Sequence, residues 1–225
     1  MSAIDSVPSK GRFHEDLGMW VRAPGGPLAS SRPALFLDRD GVIVEDAGYL
    51  SRPDDLVLIP GAVEVIGLAN RLAIPVIEVT NQAGIGRGYY GWEEFLEVED
   101  ALAVELARGA AVIDAMFACP FHRDGIVPWA HPAHPARKPR PGMLLAARRF
   151  LNIDLESSWM IGDKQGDLLA AHNAGLRGGL HVLTGHGVEH RAAALAWLPV
   201  DFEVRAGNSI REAAGLLESL ATGRE

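Results

Sequence analysis

The sequence contains a single cysteine, Cys119, among its 225 residues. An internal disulfide is therefore impossible, and the composition fits a reducing compartment. No apolar run approaches the roughly 20 residues that a transmembrane helix needs, and the polar first ten residues lack the apolar segment of a signal peptide. On these grounds we expect a soluble, cytoplasmic protein with no membrane partner.

Clusters of basic residues are also missing. The chain has 29 acidic and 21 basic residues, a formal net charge of -8, and no run rich in Lys or Arg. We therefore expect no nucleic-acid partner, and we expect the protein to be a monomer. Any anion that binds must meet a local positive charge, such as a metal ion, a few basic side chains or a helix N-terminus.

Composition divides the chain into two parts. Residues 1–33 are rich in Gly, Pro and Ser, which indicates a partly ordered N-terminal extension. Its apolar residues could dock part of it onto the surface: Phe13, Leu17, Met19 and Trp20. In residues 34–225, short β-branched runs alternate with helical patterns, which predicts parallel βαβ units and one three-layer α/β domain around a mainly parallel sheet.

The predicted elements follow from hydrophobic periodicity and from capping residues. Strands are predicted at residues 34–37, 75–79, 115–119, 159–161, 181–183 and 202–204. Helices are predicted at residues 61–72, 92–108, 141–151, 167–173 and 209–220. The proline- and histidine-rich residues 120–141 are predicted to form a loop.

Two carboxylates one residue apart, Asp38 and Asp40, follow the first of these strands, and Gly41 permits a sharp exit. Side chains two residues apart leave a strand on the same side. Because paired carboxylates repel one another, a divalent cation such as Mg²⁺ is their natural partner. A pair of aspartates that only caps a turn remains an alternative. An EF-hand is a poorer one, since its sixth position would be Ile43 instead of glycine.

Three further polar motifs lie where ligands bind in parallel sheets, at strand ends or helix starts. Thr80 precedes a Gly-rich turn that includes Arg87 and could hold a phosphate. The basic pair Arg137 and Lys138 precedes a helix, and Asp163 follows the strand at 159–161. Taken singly, these are also an ordinary polar loop, a solvated basic pair and a helix cap. Their order along the chain favours a shared phosphate site.

Residues 34–220 resemble the haloacid dehalogenase-like superfamily in these motifs and in their order along the chain. The nearest branch contains the D-glycero-D-manno-heptose 1,7-bisphosphate 7-phosphatases and the histidinol phosphatases. The segments that carry the resemblance are 36–41, 46–49, 79–88, 137–139, 141–144 and 162–164. The resemblance implies a phosphatase without a separate cap domain, since no interval between the motifs is long enough to hold one.

The resemblance also implies a role for each matched residue. Asp38 would be the nucleophile and Asp40 the general acid and base, while Thr80 and Lys138 would stabilise the phosphoryl group. Mg²⁺ would be held by Asp38, the backbone carbonyl of Asp40, and Asp163. Contacts with a small phosphorylated sugar are implied for Asp46, Gly48, Tyr49, Asn81, Arg87, Arg137 and Lys164.

The loops around 48–49 and 84–88 favour heptose bisphosphate over histidinol phosphate, because Arg87 could hold the second phosphate of a bisphosphate. Histidinol phosphate or another small phosphomonoester remains the alternative substrate. A non-catalytic phosphosugar-binding protein is a further alternative, although mere binding has no need of Asp40.

A structural zinc site, which enzymes of this branch usually carry, is largely missing from the sequence. Of its expected ligands only Cys119 matches directly, and Phe121 stands at the expected histidine position. A rearranged set of four ligands could still bind zinc tetrahedrally: Cys119, His122, His131 and His134. The remaining histidines are interpreted as surface or core residues: His172, His181, His186 and His190.

Overall fold

The computed structural model describes residues 11–197 and 199–222. The strands are β1 (Arg12–His14), β2 (Met19–Arg22), β3 (Leu35–Leu37), β4 (Val76–Asn81), β5 (Ala115–Cys119), β6 (Trp159–Gly162), β7 (Gly178–His181) and β8 (Glu203–Ala206). The α-helices are α1 (Ala62–Arg71), α2 (Ala83–Gly86), α3 (Trp92–Arg108), α4 (Gly142–Leu151), α5 (Gln165–Ala174), α6 (Gly187–Ala196) and α7 (Ala213–Thr222). Short 3₁₀ turns lie at Pro53–Asp55 and Ile210–Glu212.

The eight strands form one sheet in the order β1-β2-β5-β4-β3-β6-β7-β8. The strands from β5 to β8 are parallel, and β1 and β2 are antiparallel to their neighbours. Strand β3 therefore lies in the middle of the parallel part, with Leu37 opposite Glu78 on one side and Ile161 on the other. This arrangement confirms the predicted α/β class and its mainly parallel sheet.

Helices cover both faces of the sheet. Phe36 of β3 packs in a core with α4, α5 and α6, while Leu35 and Leu37 pack in a second core with α1, α3 and α7. Successive residues of a strand point to opposite faces, so a fully apolar strand such as β3 must be buried on both sides. The result is the expected three-layer fold. Among the described residues, no inserted domain covers the carboxyl ends of the strands.

Most predicted elements lie within a few residues of their observed positions, but helix α6 was not predicted, and β7 is displaced from its predicted position. It starts at Gly178, three residues before the predicted strand at 181–183. The strand begins with two glycines, which are poor strand formers, so the sequence pattern did not predict its first residues. Both are required by packing, since a Cβ on Gly178 would lie 2.7 Å from the Trp159 ring and one on Gly179 would lie 2.9 Å from Leu168.

The N-terminal extension contributes two strands to the sheet, which its composition did not predict. Strands β1 and β2 form a hairpin, and β2 pairs with β5 so that Trp20 lies opposite Ala118. Aromatic contacts support the hairpin, since Phe13 and Trp20 both contact Trp92 of α3. The expected boundary at residue 33 therefore does not coincide with an edge of the sheet. Residues 1–10 lie outside the described residues.

No helix among the described residues is long and apolar enough to cross a membrane.

Candidate active site

Asp38 lies directly after β3 and is almost wholly buried. Its backbone N–H donates to the carbonyl of Ile161 at 3.0 Å, which extends the pairing of β3 with β6 and fixes the position of the side chain. Its Oδ1 accepts a hydrogen bond from the backbone N–H of Arg39 at 2.8 Å and lies 2.9 Å from Nζ of Lys138. Within the described residues, the hydrogen bonds and ion pairs of this carboxylate all involve Oδ1.

Lys138 joins two of the buried carboxylates. Its Nζ lies 2.9 Å from Asp38 and 2.7 Å from Asp167. Burial by itself would lower the pKa of this ammonium group, but the two carboxylates raise it above its ordinary value, so Lys138 is charged. Asn81 fixes the backbone at this point, because its amide group donates to the Lys138 carbonyl and accepts from the Lys138 N–H, both at 3.1 Å.

Three carboxylates, from Asp38, Asp163 and Asp167, have ligand atoms within 4.8 Å of one another. Asp163 is fully buried; its Oδ2 accepts from the backbone N–H of His186 at 2.8 Å, but its Oδ1 has no hydrogen-bond partner among the described residues. Burial, together with the charges of Asp38 and Asp167, raises the pKa of Asp163 to about 7. Such a set of oxygens fits a hard divalent cation, which would compensate the repulsion.

The backbone around Asp163 is shaped for close packing against that carboxylate. Gly41 and Gly185 both have positive φ, and a Cβ on either would clash with Oδ2 of Asp163, at 2.6 and 2.5 Å respectively. Only glycine fits at both positions. The glycine after Asp40 is therefore required both by its turn and by the carboxylate beside it.

The side chain of Asp40 lies apart from this carboxylate cluster. Arg39 donates to both of its oxygens, at 2.9 Å to Oδ1 and 3.1 Å to Oδ2, and Gln82 donates to Oδ2 at 3.2 Å. Arg39 is in turn fully buried and donates to Glu99 at 3.0 Å. The structure thus separates the two aspartates of the first motif, since Asp38 contacts Lys138 and Asp40 contacts Arg39 and Gln82.

A cavity of about 470 Å³ opens above these groups at the carboxyl ends of the strands. The predicted site residues that line it are Asp38, Asp40, Asp46, Gly48, Tyr49, Asn81, Arg137, Lys138 and Lys164. Positive charge comes from Arg137, Lys138 and Lys164, and it gives an acidic protein a local site for an anion.

Three predicted site residues do not line the cavity. Thr80 is fully buried, and its Oγ1 accepts from Nε2 of Gln82 at 2.8 Å. Asp163 lies beneath the lining, beside Gly41. Arg87 lies beside the cavity, where it donates to the hydroxyl of Tyr49 at 2.5 Å.

Asp46 organises one wall of the cavity. Its Oδ1 accepts from the backbone N–H of Gly48 at 2.8 Å. Its Oδ2 lies 3.4 Å from Nζ of Lys164 and 3.2 Å from Nε2 of His186. Lys164 also lies 3.8 Å from Asp163, and these carboxylates raise the pKa of its ammonium group against the lowering effect of burial. The wall therefore links the cavity lining to the carboxylate cluster.

The lining residues that were not predicted as site residues include Gln82, Tyr90, His186 and His190. His186 was interpreted as a surface or core residue, but its ring contacts Asp46 and its N–H contacts Asp163. A signal was present, because residues 184–187 place a polar residue between glycines just after a strand. Gln82 carried no comparable signal, since its role depends on the turn between β4 and α2.

The structure does not assemble the four predicted zinc ligands. Among residues 11–197 and 199–222, the only cluster of three or more ligand atoms is the aspartate group. Nδ1 of His122, His131 and His134 accepts a backbone N–H two residues further on. The ring of Phe121 stacks on that of His134, with centroids 3.7 Å apart. Burial raises the pKa of the Cys119 thiol to about 12. This geometry gives zinc no support.

Comparisons with known proteins agree with the geometry of the cavity. The family model described as "HAD-hyrolase-like" matches residues 135–204. A D-glycero-beta-D-manno-heptose-1,7-bisphosphate 7-phosphatase of Mesorhizobium japonicum is 45% identical over 163 residues, which are 72% of this chain and 75% of that protein. One of Vibrio cholerae is 37% identical over 76% of this chain and 92% of its own length.

Solved structures have the same fold. One described as a HAD-like phosphatase, from Mesorhizobium loti, covers 95% of this chain and 98% of its own, with a TM-score of 0.82 and 38% identity. The D,D-heptose 1,7-bisphosphate phosphatase of B. bronchiseptica, complexed with magnesium and phosphate, covers 83% of this chain and 98% of its own, with a TM-score of 0.72 and 31% identity. The chain therefore belongs to the haloacid dehalogenase-like hydrolases, in the branch of the D-glycero-D-manno-heptose 1,7-bisphosphate 7-phosphatases.

Proposed function

We propose that this protein is a Mg²⁺-dependent phosphatase that removes the 7-phosphate of D-glycero-D-manno-heptose 1,7-bisphosphate through an aspartyl-phosphate. One observation carries the proposal. A buried lysine, Lys138, bridges the carboxylates of Asp38 and Asp167 within the aspartate cluster at the base of a cavity with basic walls. This arrangement suits a phosphoryl group that approaches an aspartate nucleophile.

Asp38 is the proposed nucleophile. Its Oδ1 is occupied by the Arg39 N–H and by Lys138, so Oδ2 is the oxygen that attacks phosphorus. A bond forms between Oδ2 and phosphorus as the bond from phosphorus to the sugar oxygen breaks. The resulting acyl phosphate is then hydrolysed by water, so that one difficult displacement becomes two easier ones. Lys138 stabilises the negative charge on the phosphoryl oxygens in both steps.

Asp40 is the proposed general acid and base. In the first step it protonates the sugar oxygen that leaves, and in the second it removes a proton from the attacking water. Its carboxyl group lines the cavity but lies outside the aspartate cluster. The nucleophile and the acid thus have separate environments, although only one residue lies between them.

The carboxylates of Asp38 and Asp163 and the backbone carbonyl of Asp40 would hold a Mg²⁺ ion. Among the described residues, the fully buried Oδ1 of Asp163 has no hydrogen-bond partner, and this observation fits a cation. The ion would supply positive charge for phosphoryl transfer and would compensate the repulsion between the carboxylates. Asp167, which is occupied by Lys138 and by the N–H of Lys164, holds these two groups in place.

The remaining predicted residues bind substrate, apart from Thr80, which is fully buried and accepts from Gln82. Asp46, Gly48, Tyr49, Asn81, Arg137 and Lys164 surround the sugar and its phosphates. Arg87 lies beyond Tyr49, where it can approach the more distant of two phosphates.

Phosphate release from a panel of substrates tests this proposal. The panel contains the alpha and beta anomers of heptose 1,7-bisphosphate, histidinol phosphate and hexose monophosphates. We expect Mg²⁺-dependent phosphate release, with the highest kcat/KM for a heptose 1,7-bisphosphate. Asp38→Asn should lower kcat by at least about a thousandfold, because the amide is a poor nucleophile. Full activity of Asp38→Asn would reject the mechanism, whereas preference for histidinol phosphate would reject only the substrate.

A further inference from the structure

We propose that Gln82 is the positioning residue for the general acid, and that it holds the Asp40 carboxyl group in the orientation that delivers a proton to the leaving oxygen. The inference rests on the proposed function, since it assigns Asp40 the acid role.

Gln82 lies just after β4 and is almost fully buried, with 2% of its surface exposed. Its backbone N–H donates to the carbonyl of Cys119 at 2.8 Å, which fixes the residue at the end of the strand. Its side-chain Nε2 donates to Oδ2 of Asp40 at 3.2 Å and to Oγ1 of Thr80 at 2.8 Å. One amide group therefore contacts both the acid and a predicted phosphate-binding hydroxyl.

The orientation of this amide is determined by its neighbours. Oε1 accepts from the hydroxyl of Tyr90 at 2.5 Å and lies 3.4 Å from Nη2 of Arg39. A guanidinium group can only donate, so the amide oxygen must face Arg39 and the NH₂ group must face Asp40. Rotation of the amide by 180° would place two donors against each other and leave the Asp40 contact without a hydrogen.

Arg39 and Gln82 together restrain the Asp40 carboxyl group. Arg39 donates to both oxygens, and Gln82 adds a second donor at Oδ2 only. Donors on both oxygens hold the carboxyl plane, so the remaining lone pairs keep a constant direction. Proton transfer depends steeply on the alignment of donor and acceptor. Loss of the Gln82 contact should therefore impair the proton transfer more than substrate binding.

The dependence on the leaving group separates this role from a structural one. A sugar alkoxide needs a proton as it departs, whereas 4-nitrophenolate departs without one. We expect Gln82→Met, which keeps the size of the side chain but removes its hydrogen bonds, to lower kcat/KM for heptose bisphosphate by about 10- to 100-fold. The value for 4-nitrophenyl phosphate should stay within about threefold. The quantity kcat/KM reports the step that forms the aspartyl-phosphate, in which the leaving group departs.

A double-mutant cycle with Asp40→Asn provides the matched control. If Gln82 acts through Asp40, adding Gln82→Met to Asp40→Asn should change single-turnover phosphoryl transfer from heptose bisphosphate by less than about threefold. Tyr90→Phe removes only the hydroxyl that orients the amide, and should lower kcat/KM on the sugar phosphate by about three- to tenfold. If thermal unfolding shows that Gln82→Met does not fold, Tyr90→Phe provides the comparison between the two leaving groups.

Equal losses on both substrates, or an equal loss in the Asp40→Asn background, would overturn the positioning role. The proposed function has a separate failure. If the wild type releases no phosphate, or if Asp38→Asn retains full activity, the phosphatase mechanism fails before Gln82 is considered.

Discussion

At the scale of single residues, the site contains buried charged groups that destabilise the fold unless a group of opposite charge compensates them. Asp163 is the clearest case, since it is fully buried, lies beside two other carboxylates and has an oxygen without a hydrogen bond. Burying such a group has a cost in the free energy of folding. A bound cation offsets that cost, so metal binding and stability should be linked through this residue.

Asp163→Asn should therefore separate stability from metal binding. Without Mg²⁺ and at pH 8, we expect its free energy of unfolding to exceed that of the wild type by at least about 1 kcal/mol, because one repelling charge is removed. Added Mg²⁺ should raise the melting temperature of the wild type but not of the variant. Asp54→Asn, at a highly exposed carboxylate, is the control. A similar Mg²⁺ shift in Asp163→Asn would show that Asp163 is not a ligand.

The residues of the site differ in how well the sequence predicts them. Asp38, Lys138 and Asp163 each follow a strand or precede a helix in a short motif, and the structure brings all three together. Gln82 and His186 were not predicted, because their contacts depend on turn geometry and on residues far away in sequence. Turn geometry also explains the position of Thr80. The sequence suggested it as a cavity residue, whereas the structure buries it beneath Gln82.

At the scale of elements, strand β4 carries an unusual buried carboxyl group behind the site. Glu78 has no exposed surface, and within the part of the chain that the structure describes neither oxygen of its carboxyl group has a hydrogen-bond partner. Burial raises its pKa well above the ordinary value, and the neighbouring Glu99 raises it further. Glu99 in turn accepts from Arg39, which donates to Asp40. The strand thus retains a carboxyl group that holds its proton more strongly in the folded state than in the unfolded chain.

Glu78 should make stability depend on pH. The folded state keeps its proton at pH values where the unfolded state has lost it, so the free energy of unfolding falls as pH rises from the unfolded pKa toward the folded pKa. We expect Glu78→Gln to be within about 0.5 kcal/mol of the wild type at pH 4 and more stable by at least about 1 kcal/mol at pH 8. Urea unfolding at both pH values measures this difference.

The control for this effect is Glu97→Gln, at an exposed position of α3. Its difference from the wild type should be the same at both pH values. A constant difference for Glu78→Gln as well would mean that Glu78 is already ionised in the folded protein, or that its proton is lost in both states together.

At the scale of the whole molecule, local sequence predicts the parallel part of the sheet better than its edge. Apolar strands such as β3 and β4 are buried on both faces and can be recognised from composition. Strands β1 and β2 are short and lie in a segment rich in Gly, Pro and Ser. Strand β2 joins the sheet by pairing with β5, which is almost a hundred residues away in sequence. No local pattern encodes such a partner.

The β1–β2 hairpin should therefore be required for a stable sheet. Met19 and Val21 of β2 are buried in the core that also contains Phe117 of β5. Removal of residues 1–22 would expose this apolar surface together with the unpaired edge of β5, and such an edge promotes association between chains. We expect the truncated protein to lose several kcal/mol of stability and to form soluble aggregates, measured by thermal unfolding and light scattering. Removal of residues 1–10 leaves both strands and is the matched control. If both truncations behave as the full chain, the hairpin covers the edge without stabilising it, and the phosphatase fold is complete from residue 23.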